Sequence, residues 1–135
     1  MRSLRARAMG LSLLIALLLP AHPAQAGKEQ RVRFQKGRTT AILKGKLPKG
    51  TAEYDAYIVR ARAGQTLTVH LATGDKQAFV KVFSLELGPG EDMLTPEEDD
   101  IIQDWSGKLP VAGDYSVQVY TDGAGGDYTL EVTIR

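Results

Sequence analysis

Strict alternation of apolar and polar residues, with no stretch of helical period beside it, most constrains what this chain can fold into. Thr66-Leu67-Thr68-Val69-His70-Leu71 sends Leu67, Val69 and Leu71 to one side. Tyr115, Val117 and Val119 alternate with Ser116 and Gln118, and Tyr128, Leu130, Val132 and Ile134 with Thr129, Glu131 and Thr133. Successive strand side chains point to opposite faces, so each segment has one dry and one wet face, the habit of antiparallel sheets. Weaker strands are expected over Gln30 to Phe34, Ala41 to Lys44, Tyr54 to Ala61, Ala78 to Leu85 and Ile101 to Trp105. Turns fall between them at Ala63-Gly64-Gln65 and Val111-Ala112-Gly113-Asp114, and the glycine-dominated stretch from Asp122 to Gly126 reads as a hairpin loop. About eight short strands at this spacing predict an all-β antiparallel sandwich, with a barrel as the other closure. No crossover helices are present for a doubly wound fold.

The first 26 residues read as an export signal rather than as structure. Arg2, Arg5 and Arg7 precede an apolar run from Leu11 to Leu19, Pro20 and Pro23 break it, and Ala24-Gln25-Ala26 offers small residues for cleavage. The apolar stretch from Ala8 to Ala21 is 14 residues long, short of the roughly 20 that span a bilayer. The expectation is a cleaved signal over 1–26 and one sandwich domain over 27–135, free of a membrane anchor, in the periplasm or secreted. The chain has no cysteine and no asparagine. Disulfides, thiolate metal sites, lipid attachment after the signal and N-glycosylation are therefore excluded.

Charge is divided along the chain. Residues 27–81 carry 12 basic and 4 acidic side chains, and residues 82–135 carry 2 basic and 12 acidic. Such a split gives either two surfaces of opposite sign or strands that interleave and cancel. The basic half has few aromatics, which with export argues against nucleic acid as a partner. Glu91 to Asp104 contains seven acids and no base and is expected to be an irregular excursion between sheets. Calcium accepts many oxygen cages, but the D-x-D-x-D-G order of an EF-hand is missing there, so no metal ligands and no cofactor are assigned. The segment's negative charge suits steering toward a basic partner.

Catalysis has little to work with. Past the signal, the serines are Ser84, Ser106 and Ser116 and the histidine is His70, on the wet face of its strand, with no G-x-S-x-G elbow. A glycosidase needs two carboxylates flanking a cleft, and a 109-residue sandwich has little room for one. No catalytic residues are assigned and the chain is not expected to be an enzyme. Trp105, Tyr54 and Tyr120 are the aromatics that could make a carbohydrate platform, with Trp105 expected to fill the core at a strand end.

Phe34-x-Lys36-Gly37, Gly45, Lys49-Gly50, Tyr54-Asp55-x-Tyr57, Gly64-Gln65 and Ala112-Gly113-x-Tyr115-x-x-x-Val119, in that order and spacing, resemble the bacterial periplasmic inhibitors of goose-type lysozyme. The Gly64-Gln65 and Gly113-x-Tyr115 turns also resemble the bacterial pre-peptidase C-terminal domain, whose likeness implies a binding module for polysaccharide or an envelope protein. The inhibitor resemblance implies a jelly-roll-like sandwich that binds goose-type lysozyme, itself commonly basic, and occludes its cleft, protecting peptidoglycan. It further implies contacts from loops at one end: a tyrosine after a Lys-Gly turn, the serine of a Ser-Gly-x-Tyr turn, and arginines in the last hairpin. Here Thr51 follows Lys49-Gly50, Ala112 stands in the serine's place, and the last hairpin has no arginine. Lys49, Gly50, Gly113 and Tyr115 match. The candidate contact set is Lys49, Gly50, Thr51, Ala112, Gly113, Asp114, Tyr115 and Asp122.

Overall fold

Alternation becomes burial with little loss. Along β4 (Thr66–Thr73), Leu67, Val69 and Leu71 are buried and Thr66, Thr68 and His70 exposed. Seven further strands complete the fold: β1 (Ala26–Arg31), β2 (Thr40–Leu47), β3 (Tyr54–Ala61), β5 (Ala78–Ser84), β6 (Asp104–Lys108), β7 (Gly113–Thr121) and β8 (Gly126–Ile134). Alternation is regular in β5, while β1 is exposed from Gly27 to Arg31 and β3 is buried continuously from Asp55 to Val59. This computed structural model describes residues 26–74, 78–97 and 101–135. The expected signal segment lies outside the described residues apart from Ala26.

The strands form two four-stranded sheets, in the orders β1-β3-β7-β5 and β2-β8-β4-β6. Their inner faces enclose one core, in which Tyr57, Val59, Val80, Val82, Tyr115, Val117 and Val119 of the first sheet meet Leu47, Leu67, Val69, Leu71, Leu130 and Val132 of the second. The all-β sandwich is thus the architecture. Within each sheet a strand from the acidic half of the chain lies between strands of the basic half, β7 beside β3 and β8 between β2 and β4. The charge split therefore cancels over much of the sheet surface. Asp114 of β7 meets Arg31 and Arg60, and Asp127 of β8 stands opposite Lys46 of β2.

Two expectations about strands need correction. The first strand runs from Ala26 to Arg31 rather than from Gln30 to Phe34, and it pairs with β3 in parallel. Val32 is buried and Phe34 packs against the core, but from the connection that crosses to β2, because a parallel edge strand leaves the chain at the far end of its sheet. Three alternating residues cannot distinguish a strand from a crossover that plugs the core. The second correction is to Ile101–Trp105. Strand β6 starts only at Asp104, while Ile102 O accepts from Val80 N (2.8 Å) and Gln103 O from Leu71 N (2.7 Å), bridging from one sheet to the other.

The described part of the acidic excursion covers an edge. Ser84 N donates to Asp92 O (2.7 Å) and Leu94 N to Val82 O (2.8 Å), while Thr95 Oγ1, buried, accepts from Val82 N. The open side of β5 is thereby paired and withheld from other chains. Glu98, Asp99 and Asp100 lie outside the described residues, and so does any calcium cage that would depend on them.

Candidate functional site

The β2–β3 loop (residues 48–53) and the β7–β8 hairpin loop (residues 122–125) emerge together at what we call the hairpin end. Gly50 N donates to Gly123 O (2.8 Å), which ties the two loops to each other. Thr121 Oγ1 accepts from Gly123 N and Gly125 N, and Asp122 Oδ1 from Ala124 N, closing the hairpin from within. Gly125 has φ +66°, and a Cβ there would sit 2.8 Å from Leu47 O and from Lys49 N. Only glycine lets the hairpin lie this close against the neighbouring loop. Pro48, Lys49, Gly50, Thr51, Ala52, Glu53 and Asp122 are all exposed on the resulting ledge.

Beneath the ledge runs a buried chain of polar groups. Tyr128 O–H donates to Asp55 Oδ2 (2.5 Å), so the Tyr57–Tyr128 bond (2.5 Å) must have Tyr57 as donor, each hydroxyl having one proton. Lys28 Nζ in turn donates to the Tyr57 oxygen (3.4 Å) and lies over its ring, 5.3 Å from the centroid. Asp55 is 4% exposed, and a polar side chain so deeply buried needs hydrogen-bond partners of this kind. Burial first, then the bonds to Asp55 and Tyr57, push the Tyr128 hydroxyl far above its ordinary range, so it stays a donor. Gly45, paired with Tyr128 across β2 and β8, leaves the space the tyrosine ring occupies. A Cβ on Gly45 would lie 2.2 Å from the Tyr128 oxygen.

The opposite end holds the other candidate residues. Tyr115 is fully buried, and its hydroxyl donates to Val111 O (2.5 Å) and accepts from Val111 N (3.3 Å), pinning the turn before β7. Gly113, buried with φ +144°, would bring a Cβ to 2.2 Å from Glu86 Cγ. Asp114 is held in a two-pronged bond by Arg31 Nη1 and Nη2 (3.0 Å each), with Arg60 at 3.9 Å. The hydrogen bond from Arg31, ahead of the charge itself, keeps the Asp114 carboxyl below the usual carboxylate range. Ala112 alone of the four is an exposed, unengaged side chain. The structure thus separates the candidate set. Lys49, Gly50, Thr51 and Asp122 come together at the hairpin end, while Ala112, Gly113, Asp114 and Tyr115 lie at the far end of β7. Gly113 and Tyr115 are buried supports of a turn.

The remaining candidates for chemistry are also placed. His70 Nδ1 pairs with Asp104 Oδ1 on the outer face of the second sheet, a pairing set by the β4–β6 register and invisible in the sequence. The nearby hydroxyls of Thr68 and Ser106 bond each other (2.9 Å) rather than the ring, so this His–Asp pair activates no nucleophile in the arrangement described. Tyr54, Tyr120 and Phe79 stack across the outer face of the first sheet, at 4.8 and 5.4 Å between centroids. Lys81 lies over Phe79 and Tyr120. Ring faces spent on one another are not offered to a sugar. Burial, then Tyr54, pushes the Tyr120 hydroxyl up to about 12. Trp105 packs against the core and folds over Gly107, where a Cβ would meet its ring at 2.4 Å. Among the described residues no three histidine or acidic side chains converge as a metal site.

Comparison with known proteins bears on what such loops do. No family model matches the chain. A curated Escherichia coli K12 protein named inhibitor of g-type lysozyme is 32% identical over 114 residues, covering 80% of this chain and 77% of that protein. The crystal structure of a periplasmic inhibitor of g-type lysozyme from Aeromonas hydrophila superposes with a TM-score of 0.68 at 31% identity, over 83% of this chain and all of that one. The pre-peptidase C-terminal domain of a Bacillus anthracis collagenase superposes with a TM-score of 0.50 at 16% identity, over 86% of this chain and all of that domain, a likeness of fold alone. Sequence identity of this extent along one sandwich, shared with two such proteins, has one meaning: the chain belongs to the family of inhibitors of g-type lysozyme.

Proposed function

We propose that this chain is an exported, non-enzymatic inhibitor that binds goose-type lysozyme and blocks its active-site cleft, protecting peptidoglycan. On this reading the signal over 1–26 is removed, the sandwich over 27–135 folds in the periplasm, and the family membership is the observation that carries the function. The binding surface we assign is the ledge at the hairpin end, with Lys49, Gly50, Thr51 and Asp122 as contacts. Two things support that choice over Ala112 and Asp114 at the other end. The ledge residues are exposed and outside any ion pair among the described residues, and the Gly50–Gly123 bond holds their loops in one arrangement before a partner arrives. Pre-organised loops lose less entropy on binding. A glycosidase cleft is lined by carboxylates, which the Lys49 ammonium at the loop tip complements.

A standard interface takes about 800 Å² from each partner, and a few central side chains carry most of the energy. Lys49→Glu is therefore expected to weaken the complex with goose-type lysozyme by about 30-fold or more, measured by calorimetry, with the circular dichroism spectrum unchanged. Ala112→Trp is expected to leave the affinity within about twofold. The reverse pattern would assign the interface to the other end of the sandwich.

A further inference from the structure

The outer face of the second sheet carries, across all four strands, a row of hydroxyls. Thr40 stands opposite Thr133, Thr133 opposite Thr68, and Thr68 opposite Ser106. The row is paired internally, Thr40 with Thr133 (2.8 Å) and Thr68 with Ser106 (2.9 Å). Each pair spends one proton on itself and keeps one donor and several lone pairs facing outward. Strands lie about 4.8 Å apart, so polar groups repeat along the row at a spacing comparable to a sugar ring. A depression of about 450 Å³, lined by Thr66, Thr68, Thr133 and Arg135, opens over the row toward the end of the sheet remote from the hairpin ledge.

Arg135 lines this depression, and further cations lie at the same end of the sheet. Lys108 stands opposite Thr66, and Arg135 exchanges two main-chain hydrogen bonds with Thr66. Arg38 precedes Thr39, whose carbonyl accepts from Ile134 N. All three side chains are exposed, and none joins an ion pair among the described residues. Arg31 and Arg60 of the other sheet, by contrast, are spent on Asp114. Glu131 and Asp104 flank His70 one row further from this end, and Lys44, Lys46 and Asp127 lie beyond them on the same face, so the acids are set back from the depression.

We propose that this face binds a saccharide carrying phosphate or carboxylate groups, its sugar hydroxyls on the Thr40–Thr133–Thr68–Ser106 row and its anionic group against Arg135 and Lys108. Hydroxyls alone hold sugar weakly, and exposed cations alone hold any anion. The two together, side by side in one depression, select a ligand that has both. The site lies outside the ledge assigned to lysozyme, so both can be occupied at once, and it gives the protein a hold on anionic glycans of the envelope it protects.

The test is a titration of the ¹⁵N-labelled mature chain with polygalacturonate fragments, with the phosphorylated core oligosaccharide of lipopolysaccharide, with neutral dextran and with inorganic phosphate. Either charged saccharide is expected to shift the amides of Thr66, Thr68, Ser106 and Arg135, and the tighter of the two identifies the anionic group. Dextran and free phosphate are each expected to bind at least about tenfold more weakly. Lys108→Glu combined with Arg135→Glu is expected to weaken the charged saccharides by about tenfold or more, leaving the unfolding midpoint and the affinity for lysozyme unchanged. Equal binding of dextran or of free phosphate, absence of shifts with both charged saccharides, or loss of lysozyme binding in the double variant would each overturn the proposal.

Discussion

A chain ending at Asp127 is expected not to fold. Its missing segment is not a peripheral tail but the body of β8, which lies between β2 and β4 and is paired along its length to both. Tyr128, Leu130 and Val132 are buried and Ile134 packs partly against the core. At about 1.5 to 3 kcal/mol for each large side chain, removing the four costs on the order of 6 to 12 kcal/mol, against a typical domain stability of about 5 to 15 kcal/mol. The loss of β8 also bares facing edges of β2 and β4, and unpaired edges recruit other chains. Circular dichroism of the truncated protein is expected to show no sheet signal in its soluble fraction, with most of the material aggregated. A cooperative thermal transition within 5 °C or so of the parent would contradict this placement of β8.

Gly45→Val is expected to cost about 3 to 5 kcal/mol, read as a shift in the denaturant midpoint at constant slope. The Cβ position is already occupied by the Tyr128 hydroxyl and ring, with Cζ at 2.3 Å. Tyr128 must therefore swing away, and Asp55 loses its donor while still buried. The diagnostic is a double-mutant cycle. In a Tyr128→Ala background the ring is gone, valine suits a strand better than glycine, and the further cost of Gly45→Val is expected to fall below about 1 kcal/mol. Additive costs would show that Gly45 is kept for some reason other than room for Tyr128.

Much of the fold was legible because burial in a strand follows a period of two. Leu67, Val69 and Leu71, and Leu130 with Val132, announce their face without reference to any neighbour. Glycines marked the turns, and of the run from Asp122 to Gly126 residues 122–125 form the β7–β8 loop while Gly126 opens β8. What alternation cannot announce is which strands lie side by side. The parallel pairing of β1 with β3, the interleaving of acidic-half strands among basic-half ones, and the His70–Asp104 contact all depend on strand order. The same limit governs the candidate site. Lys49 and Asp122 are 73 positions apart in the chain yet share a ledge, because β8 returns beside β2. Ala112 and Asp122 are ten apart yet lie at opposite ends, because β7 runs the length of the sheet between them. The resemblance motifs proved informative in a second way. Gly45, Asp55 and Tyr57 meet in the polar chain with Tyr128, and Gly113 and Tyr115 build one turn, so packing accounts for their spacing.

On the function proposed above, this sandwich stops a goose-type lysozyme by binding it. The most direct measurement is lysis of a peptidoglycan suspension by goose-type lysozyme, titrated with the purified chain lacking residues 1–26, beside the same titration of hen-type lysozyme. Lysis by the goose-type enzyme is expected to fall to baseline as the inhibitor reaches about one equivalent at micromolar enzyme, while hen-type lysis continues. Undiminished lysis by the goose-type enzyme in a large molar excess of folded protein would contradict it.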